Sequence, residues 1–232
     1  MRTAVERDDY KAGHLTAKPG GVREQSGKVT GLQPLLLNQK KECLLYVPAN
    51  YHPETPAAFA LMLHGAGGIA EHGISYIRAY ADEKNIILLS PASHDYSWDL
   101  IATDSFGTDV LFIDHALSYV FDRFSIATSC VAIGGFSDGA SYALCVGLGN
   151  GDLFTHIIAF SPGFYYTVES RGKPRVYISH GKEDDVLPIE PCSRSIIPKL
   201  KREGLAISYE EFNGRHEIPP LISKGAVDWF VP

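Results

Sequence analysis

Ser137 stands in GGFSDG (residues 134–139), with glycine two positions away on either side, in a stretch that follows the apolar run CVAI. A serine hydroxyl becomes a nucleophile when a base takes its proton, an acid orients that base, and N–H donors receive the developing oxyanion. Downstream, HGKEDDVLP (180–188) offers Glu183, Asp184 and Asp185 as acids, and FNGRHEIPP (212–220) offers His216 as a base. Upstream, the glycines of HGAGG (64–68) let a backbone come close to a substrate. A GxSxG pattern alone is common, and its serine could equally cap a helix. His64 and His180 each precede glycine at the end of an apolar run, and both read as braces of loops rather than proton carriers. The histidines have no metal-ligand spacing: there is no HExxH, and HGAGG lacks the Lys-Ser/Thr ending of a phosphate loop.

Four stretches can act together only if the fold converges them. The runs FALMLHG (59–65), IILLSP (86–91), CVAIGGF (130–136), IIAFSP (157–162), RVYISHG (175–181) and AISYEEF (206–212) read as strands. LLLN (35–38) and CLLYVP (43–48) flank NQKK and read as a two-stranded antiparallel lead-in. Helical spacing marks 104–123, where Val110, Ile113, Leu117, Val120 and Phe121 share a face, and also 138–149, 192–203 and 219–231. Apolar strands alternating with helices imply an α/β fold with a mainly parallel sheet covered on both faces. Ser137 then falls at a strand–turn–helix junction, its hydroxyl near a helix N-terminus that favours negative charge.

The 232 residues are 45% hydrophobic and 21% charged, enough for one sizeable core. The expected organisation is an extended or partly ordered arm at 1–33, of which LTAKPGG could lie along the domain, and a single domain at 34–232. A formal charge of −6 with scattered Lys and Arg leaves no basic stripe for nucleic acid. Cys43, Cys130, Cys145 and Cys192 form no CxxC pair and read as small packing residues. The charged start MRTAVERDDYKAG is unlike a secretory signal, and no run of about 18 apolar residues suggests a membrane span, so the expected setting is the cytoplasm.

LHGAGG, GFSDG, HGKEDDVLP and GRHEIP, in this order, resemble the α/β-hydrolase superfamily, and within it the small phospholipase/carboxylesterase and polyhydroxybutyrate-depolymerase-like esterases. The resemblance covers about residues 35–232 and implies an α/β-hydrolase fold and ester hydrolysis without a cofactor. In that family the acid follows His-Gly after two residues and precedes proline by four, which matches Asp184 among the three acids. The family's Gly-x-His pattern matches His216. The resemblance implies Ser137 as nucleophile, with the amides of Asp138 and Ala66 as the oxyanion hole and Gly65 in the same turn. Many members carry glutamine where this chain has Asp138. That amide stays available, while the carboxylate is expected to disfavour anionic substrates.

Only 47 residues separate Ser137 from Asp184, too few for an inserted cap, so an open or shallow site is expected. Aromatic residues after two strands, Trp98 with Tyr96 and Phe164 with Tyr165, are expected to wall the substrate pocket, because open α/β sheets bind ligands at strand carboxyl ends. The expected substrate is a small-molecule carboxylic ester with a small or short-to-medium acyl chain. The same residues would serve a thioesterase or polyester depolymerase, and the scaffold also suits a ligand-binding or sensor protein with slow turnover. A homodimer is left open.

Overall fold

The structure, a computed structural model, describes residues 10–20, 29–35, 37, 41–166 and 169–231. Runs rich in Ile, Leu, Val and Phe pair into one eight-stranded sheet. Its strands are β1 (Gly31–Pro34), β2 (Cys43–Val47), β3 (Ala57–Leu63), β4 (Ile86–Pro91), β5 (Ile126–Phe136), β6 (His156–Phe160), β7 (Arg175–Gly181) and β8 (Ile207–Phe212). The order across the sheet is β1-β2-β4-β3-β5-β6-β7-β8. Only β2 runs against its neighbours; the pairings from β4 to β8 are all parallel.

Strand periodicity sends alternate side chains to two separate cores. Phe59, Leu61 and Leu63 of β3, Val131 and Ile133 of β5, and Val176 and Ile178 of β7 face one side. That side is covered by α3 (Thr108–Arg123), α4 (Asp138–Gly149) and α5 (Ser193–Arg202). Ala58, Ala60 and Met62 of β3, Ile158 and Phe160 of β6, and Tyr177 of β7 face the other. There they meet α1 (Ala70–Ser75) and α6 (Pro220–Phe230). A short α2 (Asp99–Thr103) lies beyond β4.

One expectation is corrected. The first strand is Gly31–Pro34, ahead of the expected 35–38. Leu35 and Leu37 instead turn into the core, with the Leu35 amide donating to the Cys43 carbonyl at 2.7 Å. Of the expected arm, residues 10–20 lie along the body, while residues 1–9 and 21–28 lie outside the described ones. Tyr10, Leu15 and Ala17 are buried in the larger core. Buried Asp114 of α3 accepts four hydrogen bonds of 2.7–2.8 Å, from the Tyr10 hydroxyl, the Thr16 amide and hydroxyl, and the Ala17 amide. Asn150, just after α4, takes the Leu15 amide at 2.7 Å and donates to the Gly13 carbonyl at 2.8 Å.

Hydrogen bonds to a buried charge typically contribute about 1.5–3 kcal/mol, and Asp114 is shared by several donors. Asp114→Ala should therefore lower the unfolding free energy by about 3 kcal/mol in urea and open residues 10–20 to proteolysis. An unchanged urea midpoint would show that this clip contributes nothing.

Candidate active site

β5 ends at Phe136 and α4 begins at Asp138, leaving Ser137 alone to reverse the chain. Its backbone sits at φ 57° and ψ −122°, a region that side-chain-bearing residues rarely adopt. The turn is held by the Ser137 amide on the Phe160 carbonyl at 2.9 Å, and by the Ala140 and Ser141 amides on the Ser137 carbonyl at 3.0 Å. The helix start lies directly on the end of β3. A Cβ at Gly135 would sit 2.6 Å from the Leu63 carbonyl oxygen, and one at Gly139 would sit 2.3 Å from the same atom. Neither position can hold a larger residue without moving backbone.

At the carboxyl end of the sheet, His216 Nε2 lies 2.9 Å from Ser137 Oγ, and His216 Nδ1 lies 2.6 Å from Asp184 Oδ2. The Asp184 side chain is fully buried and that of His216 is 13% exposed. Asp184 Oδ1 accepts the amides of Val186 and Leu187 at 3.0 and 2.8 Å. Of the three candidate acids, Asp184 meets the histidine. Asp185 turns outward and pairs with Arg215. His180 is buried beneath the acid, and burial keeps its imidazole below the ordinary titration range. Phe136 covers the His216 ring at a centroid distance of 4.5 Å.

The 64–68 loop faces the serine from the other side, with a Cβ at Gly65 placed 3.3 Å from the Ser137 Cβ. The amides of Ala66 and Asp138 donate to no other group among the described residues. His64 is buried, and burial lowers its pKa. Its Nδ1 donates to the Gly65 carbonyl at 2.7 Å, and its Nε2 accepts the Ser93 amide at 3.0 Å. The Asp138 carboxylate points sideways, accepting the Ser97 hydroxyl at 2.6 Å.

The expected aromatic wall is corrected at Trp98. Trp98 is fully buried, stacked on Tyr142 at 5.2 Å and tilted against His64 at 4.8 Å. Its Nε1 donates to the His64 carbonyl at 2.9 Å, so the indole supports the donor loop from below. The next residue, Asp99, is a buried carboxylate that anchors the chain at this point. Asp99 accepts the Tyr142 hydroxyl at 2.7 Å and the amides of Leu100, Gly107 and Asp109 at 2.8–2.9 Å. Tyr165 lies against the core and donates to Glu203 at 2.6 Å. Phe164 is exposed, and with Tyr166, Leu100, Ile101 and Asp104 it lines a cavity of about 540 Å³.

The cavity that reaches the histidine is another one. It encloses about 400 Å³ and is lined by Tyr76, Tyr80, Phe136, Ile218 and Pro220, with Ser75, Glu217 and Ser223. Sequence reasoning missed these residues. Ile218 and Pro220 follow His216 so closely that their place beside it was available, but Tyr76 caps the end of α1, a short helix without a clear periodic signature.

The Esterase family model matches residues 36–171, a stretch that holds the donor loop and Ser137 and ends before Asp184 and His216. The chain belongs to the Esterase family. This esterase-family chain is 28% identical over 173 residues to a protein of Aspergillus flavus named "Probable feruloyl esterase C", covering 69% of the chain. The match spans 63% of that relative's own length, less than two thirds. Among solved structures, an S-formylglutathione hydrolase from Staphylococcus aureus superposes with a TM-score of 0.69 at 17% identity, over 89% of this chain and 100% of its own. A thermostable esterase superposes with a TM-score of 0.68 at 22% identity, over 82% of this chain and 58% of its own. The shared architecture is the α/β-hydrolase fold, and the described residues between β6 and β7 form a plain connection with no cap domain. Among the described residues no helix is long and apolar enough to cross a membrane, and no His, Cys, Asp and Glu cluster could hold a metal.

The strained turn of this esterase-family chain has a measurable consequence. Strain of this kind costs about 1–3 kcal/mol for a residue with a Cβ and nearly nothing for glycine. Ser137→Gly should unfold at a higher denaturant concentration than Ser137→Ala, by about 1 kcal/mol. Equal stabilities would argue against a strained serine.

Proposed function

We propose that the chain is a serine hydrolase that cleaves carboxylic esters through an acyl-enzyme, with Ser137 as nucleophile, His216 as base and Asp184 as the orienting acid. The observation that carries this reading is the pair of contacts at 2.6 and 2.9 Å that join Asp184, His216 and Ser137 in one line. An ionised carboxylate only accepts hydrogen bonds, so the proton of His216 lies on Nδ1 and Nε2 is left with a lone pair facing Ser137 Oγ. That lone pair takes the hydroxyl proton as Oγ attacks the ester carbonyl, and Asp184 stabilises the imidazolium that forms. The imidazolium then protonates the departing alcohol. Water, deprotonated by the same histidine, releases the acid and restores the serine.

The amides of Ala66 and Asp138 are the proposed oxyanion donors, each free of an internal partner among the described residues. Removing one such donor typically raises the barrier by about 3–4 kcal/mol. The cavity of about 400 Å³ beside His216 is the proposed seat of the substrate's apolar part. Its lining of Tyr76, Tyr80 and Phe136 suits a planar aryl group or a short-to-medium acyl chain, and the feruloyl esterase relative supports an aromatic acyl substrate. The Asp138 carboxylate adds negative charge next to the serine and disfavours anionic esters.

Two measurements test this. On a short p-nitrophenyl ester, Ser137→Ala should lose at least roughly 10,000-fold in kcat, and Asp184→Asn should lose roughly 1,000- to 10,000-fold while Asp185→Asn stays within about threefold. Wild-type rates from a folded Ser137→Ala protein would refute the assignment. For the cavity, Ile218→Trp should raise KM for a methyl hydroxycinnamate by roughly tenfold and leave an acetyl ester within about threefold. Equal losses on both esters would place the acyl group elsewhere.

A further inference from the structure

Two histidines bear on the Asp184 carboxylate, and the mechanism above uses one. The second, His180, is the last residue but one of β7, and its side chain and that of Asp184 are both 0% exposed. Its Nε2 lies 2.8 Å from the Leu187 carbonyl oxygen and 3.2 Å from Asp184 Oδ2, and its Nδ1 lies 2.7 Å from Ser193 Oγ. Both partners of Nε2 can only accept, so the proton is on Nε2, and Nδ1 accepts the Ser193 hydroxyl. Burial lowers the pKa of the ring, and the Leu187 carbonyl takes its Nε2 hydrogen bond.

We propose that His180 is a positioning residue for the proposed triad: its Nε2–H on the Leu187 carbonyl, and its ring 3.2 Å from Asp184 Oδ2, hold the acid loop so that the carboxylate faces His216. The proposal rests on the triad reading above. Asp184 accepts three hydrogen bonds, from the Val186 and Leu187 amides on Oδ1 and from His216 on Oδ2, and His180 Nε2 stands 3.2 Å from Oδ2. The amides alone leave the carboxyl free to rock about them, because they grip only one oxygen. His180 closes the other side. It also ties down the loop itself, since Leu187 gives its amide to Asp184 and its carbonyl to His180. The Ser193 contact extends the tie to the first residue of α5. The acid is thereby referenced to β7 and α5, two elements of the rigid body, rather than to a surface loop.

Glutamine and asparagine separate this role from packing. The side-chain amide of His180→Gln reaches the place of Nε2 and can donate to the Leu187 carbonyl. That of His180→Asn reaches only the place of Nδ1, toward Ser193. With the full chain and a short p-nitrophenyl ester, His180→Asn should lose roughly 10- to 100-fold in kcat with KM within about threefold, because a misplaced acid slows chemistry without altering substrate binding. His180→Gln should recover to within about fivefold of wild type, although both variants lose similar thermal stability. Equal kcat for the two variants, whether low or near wild type, would overturn the proposal. Should His180→Asn fail to fold, ¹⁵N-histidine spectra of the wild-type chain decide: a neutral His180 protonated on Nε2 supports the role, and protonation on Nδ1 overturns it. Asp184→Asn in the same assay keeps the two readings apart. If it retains full turnover, the triad reading fails; if it is inactive while His180→Asn is fully active, only the positioning role fails.

Discussion

Everything at the candidate site depends on the close approach of the start of α4 to the end of β3. The contact allows a single residue, Ser137, to reverse the chain, and it is possible only because Gly135 and Gly139 leave no Cβ against the Leu63 carbonyl. One backbone turn thus sets three things together. It projects the hydroxyl at the carboxyl edge of the sheet, turns the Asp138 amide outward, and brings the 64–68 loop alongside. The unfavourable dihedral angles of Ser137 persist because packing on both sides leaves the chain no alternative.

Around that turn the fold uses buried polar groups to hold loops that would otherwise be mobile. His64 closes the donor loop on itself and on Ser93. Asp99 gathers amides from three residues and a tyrosine hydroxyl, and Trp98 beside it lies under the donor loop. Asp114 and Asn150 fasten the segment before β1 to α3 and α4. Each is a polar side chain whose burial would be costly if unpaired and is tolerable because backbone donors or acceptors meet it. Such networks give definite orientation, which a catalytic constellation needs more than added stability.

Much of this was legible in the sequence where local pattern and chemistry agree. The apolar runs at 86–91 and 175–181 became strands with those bounds, and the helical spacing of 104–123 became Thr108–Arg123. Ser137, Asp184, His216 and the HGAGG loop stand at strand ends, where topology alone brings them to one edge of a parallel sheet. The pocket was not legible in the same way. Trp98, Phe164 and Tyr165 all follow strands, as pocket residues do, yet Trp98 went beneath the site and Tyr165 onto Glu203. An aromatic side chain has no sequence signature for which side of a loop it takes. Its direction follows from distant partners, here Tyr142 of α4 and Glu203 after α5.

The sequence by itself determined the class of fold, the order of the reactive residues along it, and the glycines without which the serine turn could not form. Those are consequences of periodicity and of excluded volume within a few residues. Only the tertiary structure decided which of three adjacent acids faces the histidine, which amides are left without partners, where the cavity beside His216 lies, and that a second histidine reaches Asp184. These are matters of ångströms between segments far apart in the chain, set by how two cores pack on one sheet rather than by any local preference.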